Sequence, residues 1–208
     1  MEEIYFYGYA EDEPSCAVMR RLFDYANMSN SDGKRLVFRP GFPENKRGYG
    51  NLKNLATNLV QMTGNAGLFV FVMTDLDQEA CVPMLIQRWF PGVCRLPDSL
   101  IFRVAVREVE SWILADRVEL ANFLGIPKAN FSREPDTLGD PKSHLLDVIR
   151  TKGRKRFHRD MLPTGNAHIG PEYNRVLCDF VNNHWNIDEA QQYSPSLQRT
   201  VDALRRIA

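Results

Sequence analysis

Apolar residues recur along this chain in two alternating patterns. Short runs rich in aromatic and β-branched residues favour strands, and longer segments with apolar residues every three or four positions favour helices. The first pattern predicts strands at residues 4–10, 36–39, 68–74 and 100–106. The second predicts helices at residues 15–28, 52–62 and 79–90. Gly, Pro and polar side chains indicate a turn at residues 29–33 and a loop at residues 40–50.

Capping residues mark the helices of the second half of the chain. Asp116 followed by Glu119 has the form of a capping box, which predicts two helices within residues 107–126. Asp140 before Pro141 predicts a helix that begins there. That helix is expected to end near residue 151, and residues 152–170 are expected to be irregular. Two terminal helices are expected at residues 171–184 and 195–207, and Ser194 before Pro195 opens the second of them.

The alternation of strands and helices predicts the fold class. A strand begins about every 30 residues, which is typical of right-handed βαβ units and a mainly parallel sheet. The predicted strand at residues 68–74 is apolar on both faces, as a central strand covered by helices would be. We therefore expect an α/β fold in which helices flank a mainly parallel central sheet. Residues 1–125 are predicted to form this core, and residues 126–208 a helical C-terminal extension packed on it.

Composition excludes some classes of protein and leaves others open. Lysine plus arginine equals aspartate plus glutamate at 26 each, so the net charge does not indicate a partner. No apolar run approaches the ~20 residues of a membrane span, and the acidic start MEEIYFYGYAEDE is unlike a signal peptide. Four cysteines are scattered without a C-x-x-C pair, which favours reduced core thiols over disulfides or a zinc site. We therefore expect a cytoplasmic protein that does not enter a membrane.

Carboxylates follow three of the predicted strands. They are Glu11, Asp12 and Glu13 after the first strand, Asp75 and Asp77 after the third, and Glu108 and Glu110 after the fourth. If these strands are neighbours, the acids converge at the edge of the sheet where ligands of parallel sheets bind. Their mutual repulsion opposes folding unless a cation neutralises it, and Mg²⁺ suits such carboxylates. The alternative is that each acid caps or stabilises the N-terminus of the next helix, as Asp77 and Glu79 would do together.

A basic segment, RTKGRKRFHR at residues 150–159, is the second candidate for function. Gly153 and Phe157 within it indicate a flexible loop with an aromatic ring for stacking on an unpaired base. The alternatives are a solvated run of charge or a loop that docks a partner protein. Lys142 precedes the segment and is either a phosphate contact or an exposed surface lysine. The cations that would neutralise phosphates of a nucleic acid are Arg150, Lys152, Arg154, Lys155, Arg156 and Arg159.

Other polar and aromatic side chains are weaker candidates. His168 lies in a predicted loop, where a structural role is favoured over acid–base chemistry. Tyr173 would suggest the nucleophile of topoisomerases, but that tyrosine belongs to a separate large domain that this chain lacks. Trp112 and Trp185 sit among apolar neighbours and are expected in the core or an interface.

Three stretches in this order, YFYGYAEDEPSCAVMRRLF, FVFVMTDLDQEAC and VREVESWILAD, carry a resemblance. They resemble the Toprim fold, which has a glutamate after its first strand and a D-x-D motif after its third. Through GDPKSHLLDVI and IGPEYNRVLCDFVNNHWNIDEAQQYSPSLQRTVDAL, the chain resembles more closely a stand-alone bacterial Toprim-like family. Such proteins are similar to the nuclease half of the overcoming-lysogenization-defect proteins. They are typically encoded beside an ABC-type ATPase, in settings of defence against phage.

The resemblance implies a metal-dependent nuclease that hydrolyses DNA or RNA under the control of an ABC-type ATPase. Matched by position, the ligands of Mg²⁺ or Mn²⁺ and the catalytic acids would be Glu11, Asp75, Asp77 and Glu110, with Glu108 as second choice for the last. We add Lys142 as the group that would stabilise charge on the scissile phosphate. One departure concerns Glu11, because the Toprim glutamate is usually followed by glycine and here Asp12 follows. The choice of ligand among residues 11–13 therefore stays open.

Two other classes of function remain. A non-catalytic Toprim-like scaffold or sensor that binds the ATPase would share the fold, but it would have little reason to keep like charges together. A phospho-receiver domain also places acids after its first and third strands, but the lysine expected after a fifth strand is missing here. The sequence does not distinguish DNA from RNA as substrate, and it leaves a homo-oligomer open.

Overall fold

The computed structural model describes residues 2–28 and 33–208. Its strands are β1 Glu2–Ala10, β2 Lys34–Phe38, β3 Glu44–Asn45, β4 Phe69–Asp75 and β5 Leu100–Ala105. Its α-helices are α1 Glu13–Met28, α2 Tyr49–Ala66, α3 Val82–Trp89, α4 Val109–Ala115, α5 Arg117–Leu124, α6 Pro141–Lys152, α7 Arg156–Met161, α8 Tyr173–Asn183, α9 Ile187–Tyr193 and α10 Pro195–Arg205. Two short 3₁₀ turns lie at Lys128–Asn130 and Pro135–Thr137. None of the helices in the described ranges is both long and apolar enough to cross a bilayer.

The strands form a parallel sheet in the order β2-β1-β4-β5, with β3 paired to β1 beyond the end of β2. The register places Tyr9 beside Val72 and Asp75 beside Ala105. The carboxyl ends of β1, β4 and β5 therefore lie side by side. The expected α/β fold with a mainly parallel central sheet is confirmed, and so is the adjacency on which the convergence of the acids depended.

Two hydrophobic clusters cover the two faces of this sheet. Phe6 and Phe71 point to the face covered by α1, and Val70 and Val72 point to the face covered by α2 and α3. The C-terminal helices extend the first cluster, since α8 and α10 pack on α1 and α9 packs on α4. The first cluster contains residues from both halves of the chain, the first being Phe6 of β1 and the last Ala208 after α10. The segment predicted as an extension thus shares its hydrophobic core with the sheet.

Capping residues predicted from sequence act as caps in the structure. Asp116 accepts a hydrogen bond from the backbone N–H of Glu119 at the start of α5. Asp140 accepts one from Ser143 at the start of α6, and Ser194 accepts one from Leu197 at the start of α10. Each oxygen satisfies a backbone N–H that the first turn of a helix leaves without a partner.

Several expectations were wrong in detail. The stretch 152–170 is not wholly irregular, because α7 lies within it, and α9 separates the two predicted terminal helices. Within the predicted loop 40–50, β3 pairs with β1, and α2 already begins at Tyr49. The cysteines are free, but Cys81 and Cys94 are exposed rather than core thiols. Most of the predicted turn 29–33 lies outside the described residues.

Candidate functional site

Glu11 leaves the end of β1 and turns towards the neighbouring strand β4. Its Oε1 accepts hydrogen bonds from the Thr74 hydroxyl and, at 3.1 Å, from the backbone N–H of Asp75. Burial raises the pKa of Glu11, while these two donors oppose the rise. Asp12 instead accepts from the N–H of Ser15 and caps α1. Glu11 thus contacts β4, Asp12 caps α1 and Glu13 is exposed. The charge of Asp12 nevertheless raises the pKa values of Asp75 and Glu110, so Asp12 also lies near the site.

Asp75 is the last residue of β4 and is buried, with 8% of its surface exposed. Its Oδ1 accepts a hydrogen bond of 2.9 Å from the N–H of Val109, the first residue of α4. Burial is the main cause that raises the pKa of Asp75 well above its ordinary value, and the charges of Glu11 and Glu110 add to it. Lys142 opposes this rise. Asp75 thus joins the end of β4 to the acids from β1 and α4.

Asp77 lies just beyond β4, with a left-handed backbone φ of 48° that aspartate tolerates better than most residues. Two hydrogen bonds with Arg107 fix its backbone. The carbonyl oxygen of Arg107 accepts a hydrogen bond from the N–H of Asp77, and the guanidinium of Arg107 donates one to the carbonyl oxygen of Asp77. Burial raises the pKa of Asp77, and Lys142 lowers it. The next helix, α3, begins at Val82 with Cys81 as its N-cap residue. Asp77 therefore does not cap that helix, so the alternative interpretation fails at this position.

Glu110 lies in the first turn of α4 and is completely buried. Its Oε1 accepts a hydrogen bond of 2.9 Å from the hydroxyl of Tyr173 and lies 3.5 Å from Nζ of Lys142. Its other oxygen, Oε2, is buried without a hydrogen-bond partner in the described part of the chain. Burial raises the pKa of Glu110 to about 7, against the opposing effect of Lys142.

Lys142 and Glu108 complete the site. The backbone N–H of Lys142, in the first turn of α6, donates to Oε2 of Glu108 over 2.9 Å, and its Nζ lies 3.8 Å from Glu108 Oε1. Burial alone would lower the pKa of Lys142, but the carboxylates of Glu110, Glu108 and Asp75 raise it above its ordinary value. This lysine is therefore held in its charged form against several acids. We call Glu11, Asp75, Asp77, Glu108 and Glu110 the acid cluster.

Tyr173 and Thr74 are polar contacts of the acid cluster that sequence reasoning missed. Tyr173 is 1% exposed, and its hydroxyl serves Glu110 rather than a nucleophilic role. Thr74 holds Glu11 from the adjacent strand. Thr74 carries a usable signal, since a polar residue interrupts an apolar strand directly before Asp75. Tyr173 carries none, because it lies 63 residues from its partner.

The basic segment, residues 150–159, begins away from the acid cluster. Arg150 is eight residues beyond Lys142 on α6, which places it about 12 Å further along the helix axis. Arg150 pairs with Asp147, and the ammonium of Lys155 donates to the carbonyl oxygen of Phe123. All six cations are exposed: Arg150, Lys152, Arg154, Lys155, Arg156 and Arg159.

The prediction of a flexible loop within the basic segment, with Phe157 free to stack on a base, was wrong. Phe157 is half-buried in α7 and packs against the ring of Phe123. A Cβ atom on Gly153 would approach Nδ1 of the buried His158 ring to within 2.7 Å, so this part of the segment is tightly packed. His168 is exposed in a loop, whereas Trp112 and Trp185 are buried in the core, as expected for the tryptophans.

A groove of about 270 Å³ opens beside the acid cluster and is lined in part by Asp77, Tyr49 and Arg88. It offers a ligand access to one edge of the cluster. A larger groove of about 530 Å³ is lined by residues such as Arg21, Tyr25 and His184, and contains none of the predicted site residues.

The carboxylates of the acid cluster are suitable ligands for a divalent cation, but their present positions do not form a complete coordination site. Carboxylate oxygens are the ligand atoms that Mg²⁺ prefers. Oε2 of Glu110 is such an oxygen, and it is buried without a hydrogen-bond partner in the described part of the chain. Among residues 2–28 and 33–208, however, no group of three or more His, Cys, Asp or Glu side chains is arranged to hold a metal ion. Any cation would have to draw the carboxylates closer together.

Three comparisons with known proteins give no family for this chain. No protein-family model, no curated protein and no solved structure matches it.

Proposed function

We propose that this protein is a metal-dependent phosphodiesterase that hydrolyses DNA or RNA, with Mg²⁺ or Mn²⁺ held by Glu11, Asp75, Asp77 and Glu110. The observation that carries the proposal is the state of Glu110, which is fully buried with one oxygen unpartnered beside the buried Asp75. Leaving a buried carboxylate oxygen without a partner costs free energy, and so does placing carboxylates side by side. A bound cation would recover both costs. The resemblance to Toprim nucleases supports the same assignment.

The side chains of the site would have distinct roles in the proposed hydrolysis. When bound, a divalent cation supplies a nucleophilic water near neutral pH and neutralises charge on the leaving oxygen. Thr74 orients Glu11, and Tyr173 orients Glu110 through their hydroxyl hydrogen bonds. Lys142, whose ammonium is held in the charged form, would offset negative charge on the phosphate that undergoes attack.

Binding of the substrate and its control are further parts of the proposal. The exposed cations of the basic segment would neutralise backbone phosphates away from the point of cleavage, which gives affinity without sequence specificity. Control by an ABC-type ATPase, and a role as the effector in defence against phage, rest on the resemblance alone.

A second candidate function is a non-catalytic scaffold or sensor that binds an ATPase. The observation in its favour is that, within the described residues, no three His, Cys, Asp or Glu side chains are arranged to hold a metal ion. Under this function, the ammonium of Lys142 and the hydrogen bonds that the acids accept would compensate for their burial.

The two functions are separated by metal binding, which needs no partner and no substrate. Mn²⁺ is titrated into the purified protein by calorimetry, and thermal stabilisation is followed in parallel. Wild type is compared with Asp75→Asn, whose amide oxygen can still accept the N–H of Val109, and with Asp98→Asn. Asp98 is an exposed acid before the amino end of β5, at the opposite edge of the sheet. Saturable binding that only Asp75→Asn loses supports the enzyme. Equal responses of wild type and Asp75→Asn would favour the scaffold.

A further inference from the structure

The face of β1 away from α1 carries a row of tyrosines. Side chains alternate along a strand, so Phe6 and Ala10 enter the core under α1 while Tyr5, Tyr7 and Tyr9 point to the opposite face. The row extends about 13 Å from the first to the last of these residues. Its last member lies two residues before Glu11, so the row leads to the acid cluster.

Helix α2 packs against β4 and β5 on this side of the sheet, and Tyr7 and Tyr9 pack against the hydrophobic cluster to which α2 belongs. Tyr5 is 43% exposed, and Tyr7 and Tyr9 are half-buried. Phe42, from the loop after β2, meets the rings of Tyr7 and Tyr9 edge-on at 5.1 and 5.5 Å between centroids. The ring of Tyr5 is therefore exposed at one end of the row, while Phe42 covers part of the rings of Tyr7 and Tyr9.

Cations lie against the same rings. The guanidinium of Arg39 stands 5.7 Å from the ring centroid of Tyr5 and 5.0 Å from that of Tyr7, and Lys46 Nζ stands 5.7 Å from Tyr9. Lys46 forms an ion pair with Glu44. Arg39, in contrast, forms no ion pair with an acid within the described ranges, and its Nε has no hydrogen-bond partner there. We call Tyr5, Tyr7, Tyr9, Arg39 and Lys46 the tyrosine face.

We propose that the tyrosine face binds an unpaired strand of nucleic acid and guides it into the acid cluster. Bases of a single strand stack on tyrosine rings and on the planes of arginine guanidinium groups, and the cations attract the phosphates between them. A duplex cannot use such a face, because its bases are already stacked on one another. The inference rests on the proposed phosphodiesterase function and narrows its substrate to single strands or single-stranded ends.

The test measures binding without cleavage. The full-length chain is kept in EDTA, and fluorescence anisotropy follows labelled oligothymidine, a labelled duplex of equal length and labelled polyglutamate. Tyr5→Ala and Tyr7→Ala are compared with Tyr5→Phe and Tyr7→Phe, which keep the rings. Tyr193→Ala is the matched control, since Tyr193 is 37% exposed on α9. Thermal unfolding verifies that every variant folds.

We expect wild type to prefer the single strand over the duplex and over polyglutamate. Each alanine variant should bind it at least about fivefold more weakly, and the phenylalanine variants and Tyr193→Ala should bind as wild type does. Equal binding by folded alanine variants and wild type would overturn the proposal. So would equal affinity for duplex or polyglutamate, which would indicate a site for duplexes or acidic proteins. Because EDTA removes metal, this result is independent of the Mn²⁺ titration that tests the enzyme itself.

Discussion

Lys142 Nζ lies 3.5 Å from Oε1 of Glu110, while the second oxygen of that carboxylate has no partner in the described chain. Helix α6 thus brings one ammonium group to a cluster of acids contributed by β1, β4 and α4. Burial is the largest cause that raises the pKa values of Asp75 and Glu110. Repulsion from neighbouring acids adds to the rise, and the one charge of Lys142 opposes it without cancelling it. The first three predictions below follow from this imbalance.

The free energy of unfolding should depend on pH through Glu110. Its pKa rises from 4.5 in the unfolded chain to about 7 in the folded protein, so the folded state retains a proton that the unfolded state has lost. Stability contributed by this group is therefore present below about pH 4.5 and is lost as pH rises through about 7. The shift in pKa corresponds to a loss of stability on the order of 3 kcal/mol at pH 8. Because glutamine does not ionise, the free energy of unfolding of Glu110→Gln should fall less than that of wild type over this pH range.

Urea unfolding in EDTA across this range would measure the effect. Asp147→Asn is the matched control, because Asp147 is an exposed acid on α6. A wild-type stability that rises between pH 5 and pH 8, or an unchanged pH profile in Glu110→Gln, would show that Glu110 titrates normally.

Removing the hydroxyl of Tyr173 should destabilise the protein. Tyr173→Phe keeps the ring in the core but leaves Oε1 of Glu110 with only the lysine, and the loss of such a buried hydrogen bond costs about 1–3 kcal/mol. The affinity for Mn²⁺ should fall as well, because Glu110 loses its orientation. Tyr193→Phe, on the exposed Tyr193, should change neither quantity. If Tyr173→Phe shifted stability alone, Tyr173 would have a structural role only.

Replacing Lys142 should make the protein more dependent on metal. Lys142→Met leaves the acids without their ammonium partner, and we expect a loss of about 1–3 kcal/mol at pH 8 in EDTA, since Lys142 is still partly exposed to solvent. Mn²⁺ should then raise the melting temperature of Lys142→Met more than that of wild type. Lys128→Met, at an exposed lysine, serves as control. A melting temperature of Lys142→Met that does not respond to Mn²⁺ would favour the scaffold.

The basic segment should contribute to nucleic-acid binding through charge alone. Replacing Arg154 and Arg156 with glutamine removes two exposed cations and should reduce the slope of log K against log salt by about 1.4 for a single strand. Anisotropy at several salt concentrations measures this slope. The same two changes should weaken all sequences equally. An unchanged slope would mean that the segment serves another partner or none.

Local patterns predicted most of the fold. The β and α periods identified the elements of the sheet and its main helices, and Asp116, Asp140 and Ser194 marked helix starts because a cap acts on residues within one turn. The short helices α7 and α9 were missed, because six or seven residues hold too little periodicity. Asn186 followed by Glu189 was a usable signal for α9, since Asn186 caps it.

The sequence by itself determined which acids follow the parallel strands, because the apolar runs and the places where they end are local features. That β1, β4 and β5 are neighbours is a matter of strand pairing, which the structure shows. Only the tertiary structure decided that Glu11 rather than Asp12 faces Asp75, and that Lys142 and Tyr173 meet Glu110. These contacts join residues 32 to 64 positions apart. They depend on the pairing of β1 with β4, on the packing of α6 against α4, and on the position of Tyr173 at the start of α8. Local patterns carry information about hydrogen bonds within a turn or a strand. They carry almost none about packing between distant helices, and that packing sets the charge and orientation of the acids.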